Sequence, residues 1–418
     1  MRSPRLVFLL VTLAAAAYAP FLAFPFIANS FIEIPVSRLL GTAAGFHALV
    51  TNANWHFRIT YVLLNSFIER WFGIDPRAFY ITSLVLHGLC VLLIYALIRW
   101  RKLPGGAALW AAGFFAVYQG HHGAVVLLSS WPDLLTGVFA CASLLFWTGW
   151  LQADRKWNYA LALLFYLIAV VSNEPGFIAI LLLLLPFASG IEASRKKLFS
   201  LIPFAALAIA AVIVQLTVRA KPVPWSDAVP ALDPWWITAA WAGGAAILIA
   251  ITRRWEARRL IIGCIAWLVA AFLADLYVRH ALGSPTGDVY LSSIGLALLV
   301  GIAFSQVIAQ FRARFAAALA LAIVAGNIAL LWTISRHRLL DLAAPTRTLI
   351  NAAAFAQGPI ELTCFPYPFE VAQAAVGWIG GEIAPPKKGE EIRKPHCVLF
   401  RYKDSAGNVR RVFLHSGI

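Results

Sequence analysis

The chain has 418 residues, 61% of them hydrophobic and 13% charged, with a formal charge of +15 and a mean hydropathy of +0.78. A soluble domain covers itself with roughly 25% charged residues, so this composition excludes one. Apolar runs such as Leu6 to Ala28 and Leu198 to Val218 take the place of the missing charge, and each is long enough to cross a ~30 Å hydrocarbon core as a helix.

Backbone groups in lipid must be satisfied within the segment, so the runs predict helices. They lack the alternation that a membrane barrel requires. Taken in chain order, spans are expected near 6–28, 79–100, 105–119, 134–151, 158–172, 177–191, 198–218, 237–252, 260–277, 290–309 and 316–335. The expected fold is an all-α polytopic membrane protein of about eleven transmembrane helices, followed by a small α+β extracytoplasmic domain. Arg2 and Arg5 precede the first run. A signal-peptide cut after Ala19 would fall before Pro20, a poor site, so an uncleaved first helix is expected.

Charge distribution sets the orientation. Alternate turns hold Arg2, Arg5, Arg99, Arg101, Lys102, Arg155, Lys156, Arg195, Lys196, Lys197, Arg253, Arg254, Arg258, Arg259, Arg312 and Arg314, against Asp154, Glu192 and Glu256. The opposite turns carry Asp133, Glu174, Asp227, Asp233, Asp275 and Asp288 against Arg219, Lys221 and Arg279. This positive-inside asymmetry puts the amino terminus in the cytoplasm and the carboxyl terminus outside. The positive charge is then a topology signal, and it removes the case for a nucleic-acid partner.

Three outer segments stand out. The first, 29–77, is far longer than an ordinary connection, and His56 to Phe72 within it has the apolar spacing of an amphipathic interfacial helix. The second is Gly120 to Asp133. The third is the tail, 336–418, which we divide from the membrane domain 1–335. In it, Val398 to Tyr402 and Val409 to His415 flank a polar turn and predict a β-hairpin. Pro385 to Gly389 reads as a loop. Cys364 and Cys397 fall in the tail, where an oxidising compartment permits a disulfide. Cys90, Cys141 and Cys264 read as small buried hydrophobes.

No phosphate-binding loop, dinucleotide fingerprint, GxSxG elbow, CxxC or HExxH is present. The candidates for chemistry are side chains at outer helix ends. Glu33 could be a solvated loop carboxylate, or a base whose proton affinity an apolar wall raises. His121 and His122 could bind a lipid phosphate or sit as interfacial side chains. Asp133 could orient a ligand or cap the helix it enters. Glu174 lies in a turn between short spans, where a carboxylate is costly unless paired; a capped tight turn is the alternative. Asp288 and Tyr290 read as a helix cap and an interfacial aromatic.

Four stretches occur in an order that carries a resemblance. They are HFRITY (His56 to Tyr61) with WFGIDP (Trp71 to Pro76) and LVLH (Leu84 to His87); QGHHGAVVLLSSWPDLL (Gln119 to Leu135); Ser172-Asn173-Glu174; and YLSSIG (Tyr290 to Gly295). Together they resemble the GT-C class of polytopic glycosyltransferases, in particular bacterial relatives of protein O-mannosyltransferases and of membrane transferases linked to tetratricopeptide repeats. The resemblance implies inverting transfer of a sugar from a polyprenyl-phosphate carrier to a glycan, lipid or protein acceptor at the outer face of the bacterial cytoplasmic membrane. It implies Glu33 as the base, because the family's aspartate in the first outer loop is absent here. Arg58, His121, His122, Asp133, Glu174, Asp288 and Tyr290 are then expected to bind substrate, with no metal and no cofactor. The chain departs from the family at Ile59, at Ala124 and Val125, at Trp131 and Pro132, and at Asn173, where respectively a proline, a carboxylate, a basic pair and a lysine are expected. The rivals are a catalytically inactive GT-C-like protein that binds or scaffolds lipid-linked sugars, and a transporter. No internal repeat supports transport.

Overall fold

The computed structural model describes residues 4–51, 57–97, 100–101, 103–217, 232–252, 257–282, 289–311, 313–386, 392–394 and 397–415. Among these, seven helices are long and apolar enough to cross a bilayer: Pro4–Ala23, Pro76–Ala96, Leu128–Ala153, Arg195–Thr217, Arg258–Val278, Ser293–Gln310 and Arg314–Ala353. Four shorter apolar helices, Ala107–Val117, Lys156–Val170, Glu174–Ala188 and Trp235–Ala250, occupy the places of the other expected spans.

In chain order, α1 (Pro4–Tyr18) leads to α2 (Ser30–Val36), α3 (Ala43–Thr51) and α4 (Ile59–Phe72). Then come α5 (Pro76–Ala96), α6 (Ala107–Val117), α7 (His122–Val126), α8 (Trp131–Ala153) and α9 (Lys156–Val170). α10 (Leu185–Ala188), α11 (Arg195–Phe199), α12 (Ile202–Thr217) and α13 (Leu232–Thr252) follow. α14 (Arg258–Leu282), α15 (Ser293–Gln310), α16 (Ala313–Leu330), α17 (Arg336–Ala353) and α18 (Phe369–Gly377) complete the helices.

The first apolar run does not stay one helix. α1 passes at Tyr18 into a 3-10 turn, Ala19–Ala23, opened by Pro20, and Pro25 follows in extended chain. A proline offers no N–H and crowds the preceding turn, so the helix ends there although the hydropathy continues. The expected amphipathic helix is present as α4, which buries Tyr61, Val62, Asn65 and Ile68. Its other face exposes Leu63, Phe67, Trp71 and Phe72. After α9 the chain runs as a 3-10 helix from Glu174 to Leu184, 11 residues long, where such helices rarely exceed 3–4 residues. Gly176 lies directly on the Ala169 carbonyl, and a Cβ there would collide with it.

α15 is the central element, buried continuously from Ser293 to Phe304 and packed against α6, α13 and α14. Small residues permit that approach. Gly301 faces the Ala107 carbonyl and Ala111 of α6 with no space for a side chain, a close-contact device common where lipid supplies no hydrophobic drive between helices.

α16 continues through a π turn, Leu331–Ser335, into α17. The helix therefore crosses position 335 without a break, and the change of core falls within α17. Leu339 and Ala343 belong to the core of the apolar helices, and Leu349 and Ala352 to that of the tail. The tail sheet has the order β1 (Glu361–Cys364), β2 (Cys397–Lys403), β3 (Val409–His415), all antiparallel. The expected hairpin is β2–β3, with Phe400 opposite Val412. Leu362, Val398 and Phe400 point into a core shared with Val371, Ala372 and Val376 of α18. Cys364 and Cys397 form a disulfide. Of the expected loop, Pro385 and Pro386 lie in irregular chain and the rest lies outside the described residues.

Candidate functional site

Four of the residues singled out in the sequence come together where α2, α4, α8 and the turn before the long 3-10 helix meet. Glu33 is 8% exposed. Its Oε2 accepts a hydrogen bond from the Tyr61 hydroxyl at 2.8 Å. Burial raises the proton affinity of Glu33, because a charge is costly away from water; Arg58 and the Tyr61 bond oppose this without cancelling it.

Arg58 stands at the N-cap of α4, with its Nε 3.3 Å from Glu174 Oε1. Burial alone lowers its proton affinity, but Glu174, Glu33 and Asp133 together raise it above the ordinary value. The guanidinium is therefore held charged. Glu174 is fixed by its backbone: its N–H donates to the Asn173 side chain at 2.9 Å, and its carbonyl accepts from Gln215 Nε2 at 2.7 Å. The other amide atom of Asn173, Nδ2, donates to Asp133 Oδ1 at 2.7 Å. Thr60 Oγ1 donates to Ser172 Oγ at 2.8 Å and ties α4 to the same turn.

Asp133 lies in the first turn of α8 after Pro132, while the N-cap position is Ser130, which makes no side-chain cap bond. Asp133 instead engages Asn173. The cap in this region is Asn173, at the start of the 3-10 helix. At this turn two buried acceptors stay without a hydrogen-bond partner among the described residues, Glu174 Oε2 and Gln215 Oε1. Buried acceptors in that condition are costly, and both would be satisfied by hydroxyl donors.

The histidines belong to a second group, one helical turn along α8, where Gly137 lies against the Tyr290 ring. His121 Nε2 is 2.6 Å from Ser293 Oγ, and its ring is 4.6 Å from that of Tyr290. The Tyr290 hydroxyl meets His87 Nδ1 at 3.0 Å. Burial pushes the proton affinity of His121 well down, His87 adds to the effect, and the Phe115 backbone opposes it. His122 Nδ1 meets the Gln119 carbonyl at 2.9 Å; burial pushes its proton affinity down too, the Gln119 bond opposes this, and Arg338 adds to it. Buried neutral imidazoles do not balance a phosphate by charge, and the structure does not bring His121, His122 and Tyr290 into the carboxylate group. Asp288 lies outside the described residues.

Neither Tyr61 nor Gln215 is a candidate site residue in the sequence reading, yet each bonds a candidate. A glutamine inside an otherwise apolar helix was the available signal for Gln215. Tyr61 has none beyond its helical spacing. Among the described residues, no group of three or more His, Cys, Asp or Glu is arranged to hold a metal ion.

No family model matches the sequence, and no curated protein matches it. Among solved structures, the chain is similar to crystal structures of the Archaeoglobus fulgidus oligosaccharyltransferase. The apo form has 14% identity and a TM-score of 0.49, covering 84% of this chain and 57% of that one. The form with Zn and sulfate has 16% identity and a TM-score of 0.49, over 78% and 52%. The form tethered to an acceptor peptide has 14% identity and a TM-score of 0.48, over 94% and 61%. The chain thus spans between 52% and 61% of the length of these structures. Likeness of this degree assigns the chain neither their fold nor their activity.

Proposed function

We propose that the chain is a membrane-embedded glycosyltransferase of the GT-C type, moving a sugar from a polyprenyl-phosphate carrier to an acceptor hydroxyl at the outer face of the cytoplasmic membrane. The observation that carries this reading is the convergence of Glu33, Arg58, Asp133 and Glu174, from four separate segments, into one buried polar group among apolar helices. Ionisable groups buried among apolar helices are costly unless they are paired, and such clusters mark functional sites.

In this reading Glu33 takes the proton of the acceptor hydroxyl. The acceptor oxygen bonds to the anomeric carbon from the face opposite the phosphate, and the anomeric carbon–oxygen bond breaks with its electrons going to the carrier phosphate. A base with raised proton affinity suits the task, since catalytic efficiency peaks when its pKa approaches the working pH. Arg58 is the charged donor on hand for the leaving phosphate. Asp133 and Glu174 accept sugar hydroxyls, and the open acceptors on Glu174 and Gln215 supply places for two more donors.

The test is transfer of labelled sugar from polyprenyl-phosphate donors in membranes, wild type against E33Q. General-base catalysis contributes about 10²–10⁴-fold, and a loss in that range is expected from a variant that still inserts. Undiminished transfer in E33Q removes Glu33 from the role. Donor binding without transfer in the wild type would replace the enzyme by a lipid-linked-sugar binding protein.

A further inference from the structure

Glu33 sits on a helix that cannot hold itself in place. α2 has seven residues with Pro35 inside it, and isolated helices below ~12–15 residues are marginal in water. Its position comes from what packs on it. The 3-10 turn Ser37–Gly41, α4 and the short turn Leu128–Ser130 cover part of it; the C-terminal module covers another part.

The Trp378 ring meets Phe31 of α2 at 4.8 Å and Phe26 at 5.4 Å, both edge to face. Ile32 packs against the module's own core. α18 faces two ways, with Ala375 in the core of the apolar helices and Val371, Ala372 and Val376 in the core of the module. The Cys364–Cys397 disulfide closes the loop that contains both α18 and Trp378, which restricts the freedom of that loop.

We infer that the C-terminal module is a clamp on the helix that carries Glu33, and that Trp378 is the positioning residue through which it acts. The reference to a base rests on the proposed transferase reading; the placement of Glu33 does not.

The charged and titratable groups around α2 are few. Arg58 and Tyr61 act on Glu33 from the α4 side. Arg38, on the 3-10 turn, is paired with Glu69. α18 carries Glu370 in its first turn, at the end opposite Trp378. Residues Leu128 to Ser130 carry none. Loosening the Trp378 contact therefore changes the exposure of Glu33 to water and not its set of charged neighbours.

The experiment is carbodiimide labelling of carboxyl groups in the full chain in lipid vesicles across a pH series, read by peptide mass spectrometry. The reagent attacks the protonated acid, so the labelled fraction of Glu33 falls as pH rises through its pKa, and no sugar donor is needed. The wild-type midpoint is expected above the ordinary glutamate value of about 4.3. W378A is expected to move it down toward that value, as water reaches the site. W378F keeps an aromatic ring on Phe31 and is expected to restore the wild-type midpoint. F413A, on the open face of the sheet, leaves it unchanged. An unmoved midpoint in W378A with the disulfide intact overturns the clamp, and W378L carries the same test if W378A does not accumulate. Failure of sugar transfer in the wild type would leave this result standing.

Discussion

In the proposed transferase, Tyr61 sets how strong a base Glu33 is. Its hydroxyl donates to the carboxylate, and a hydrogen bond to a charged group contributes about 1.5–3 kcal/mol, or about one to two pKa units. In the proposed reaction Glu33 must be ionised to take a proton, so transfer is expected to rise with pH through its raised pKa, with the rising limb above the ordinary carboxylate range. Y61F removes a donor to the charged form. The limb should then move to higher pH by about one to two units in a pH–rate profile of transfer. Arg58 and Glu174 give a second prediction. Removing one partner of a buried ion pair costs about 3–5 kcal/mol because the other charge is stranded. R58Q should lower stability by that order in thermal unfolding, and R58Q with E174Q should recover much of it. Glu33, Arg58, Asp133 and Glu174 were legible in the sequence because a charge in an apolar chain must be justified. Their partners were not. Whether Asn173 bonds Asp133, or Gln215 reaches the Glu174 carbonyl, depends on how distant segments cross, and no local pattern encodes that. His121 shows the reverse case, where a residue suited to phosphate lies buried among aromatic rings.

Elements were legible where hydropathy alone determines them. Apolar stretches appear as seven helices long enough to cross a bilayer and four shorter ones, because lipid leaves the backbone no other solution. The departures come from local geometry that hydropathy does not report. Pro20 ends α1 inside an apolar run, and the π turn at Leu331–Ser335 carries a helix past the point where apolar residues stop. Close packing supplies a test at this scale. At Gly301 a Cβ would meet the Ala107 carbonyl and Ala111, whereas Gly326 on α16 faces open space. G301A should force α6 and α15 apart at a cost of about 1–3 kcal/mol. G326A should be neutral or stabilising by up to about 1 kcal/mol, the helix-propensity difference between the two residues. Unfolding midpoints of the two variants in one detergent would check the opposite signs.

At the scale of the whole molecule, the orientation expected from charge asymmetry predicts that the disulfide lies outside. A membrane-impermeant thiol reagent should label Cys364 and Cys397 in intact cells only after reduction, and should leave Cys90, Cys141 and Cys264, which are buried, unlabelled throughout. The hairpin was legible as an alternating pattern, but the contact of its module with α2 was not, since Phe31 and Trp378 stand far apart in the sequence. That separation also orders events in time. Ribosomes add about 5–20 residues per second, so residue 378 is made roughly 17–70 s after residue 31. Throughout that interval α2 lacks the contact that holds it, and the carboxylate group is without one wall. A nascent chain would therefore carry its acid unset, and the site would come together only after residue 378 has been synthesised.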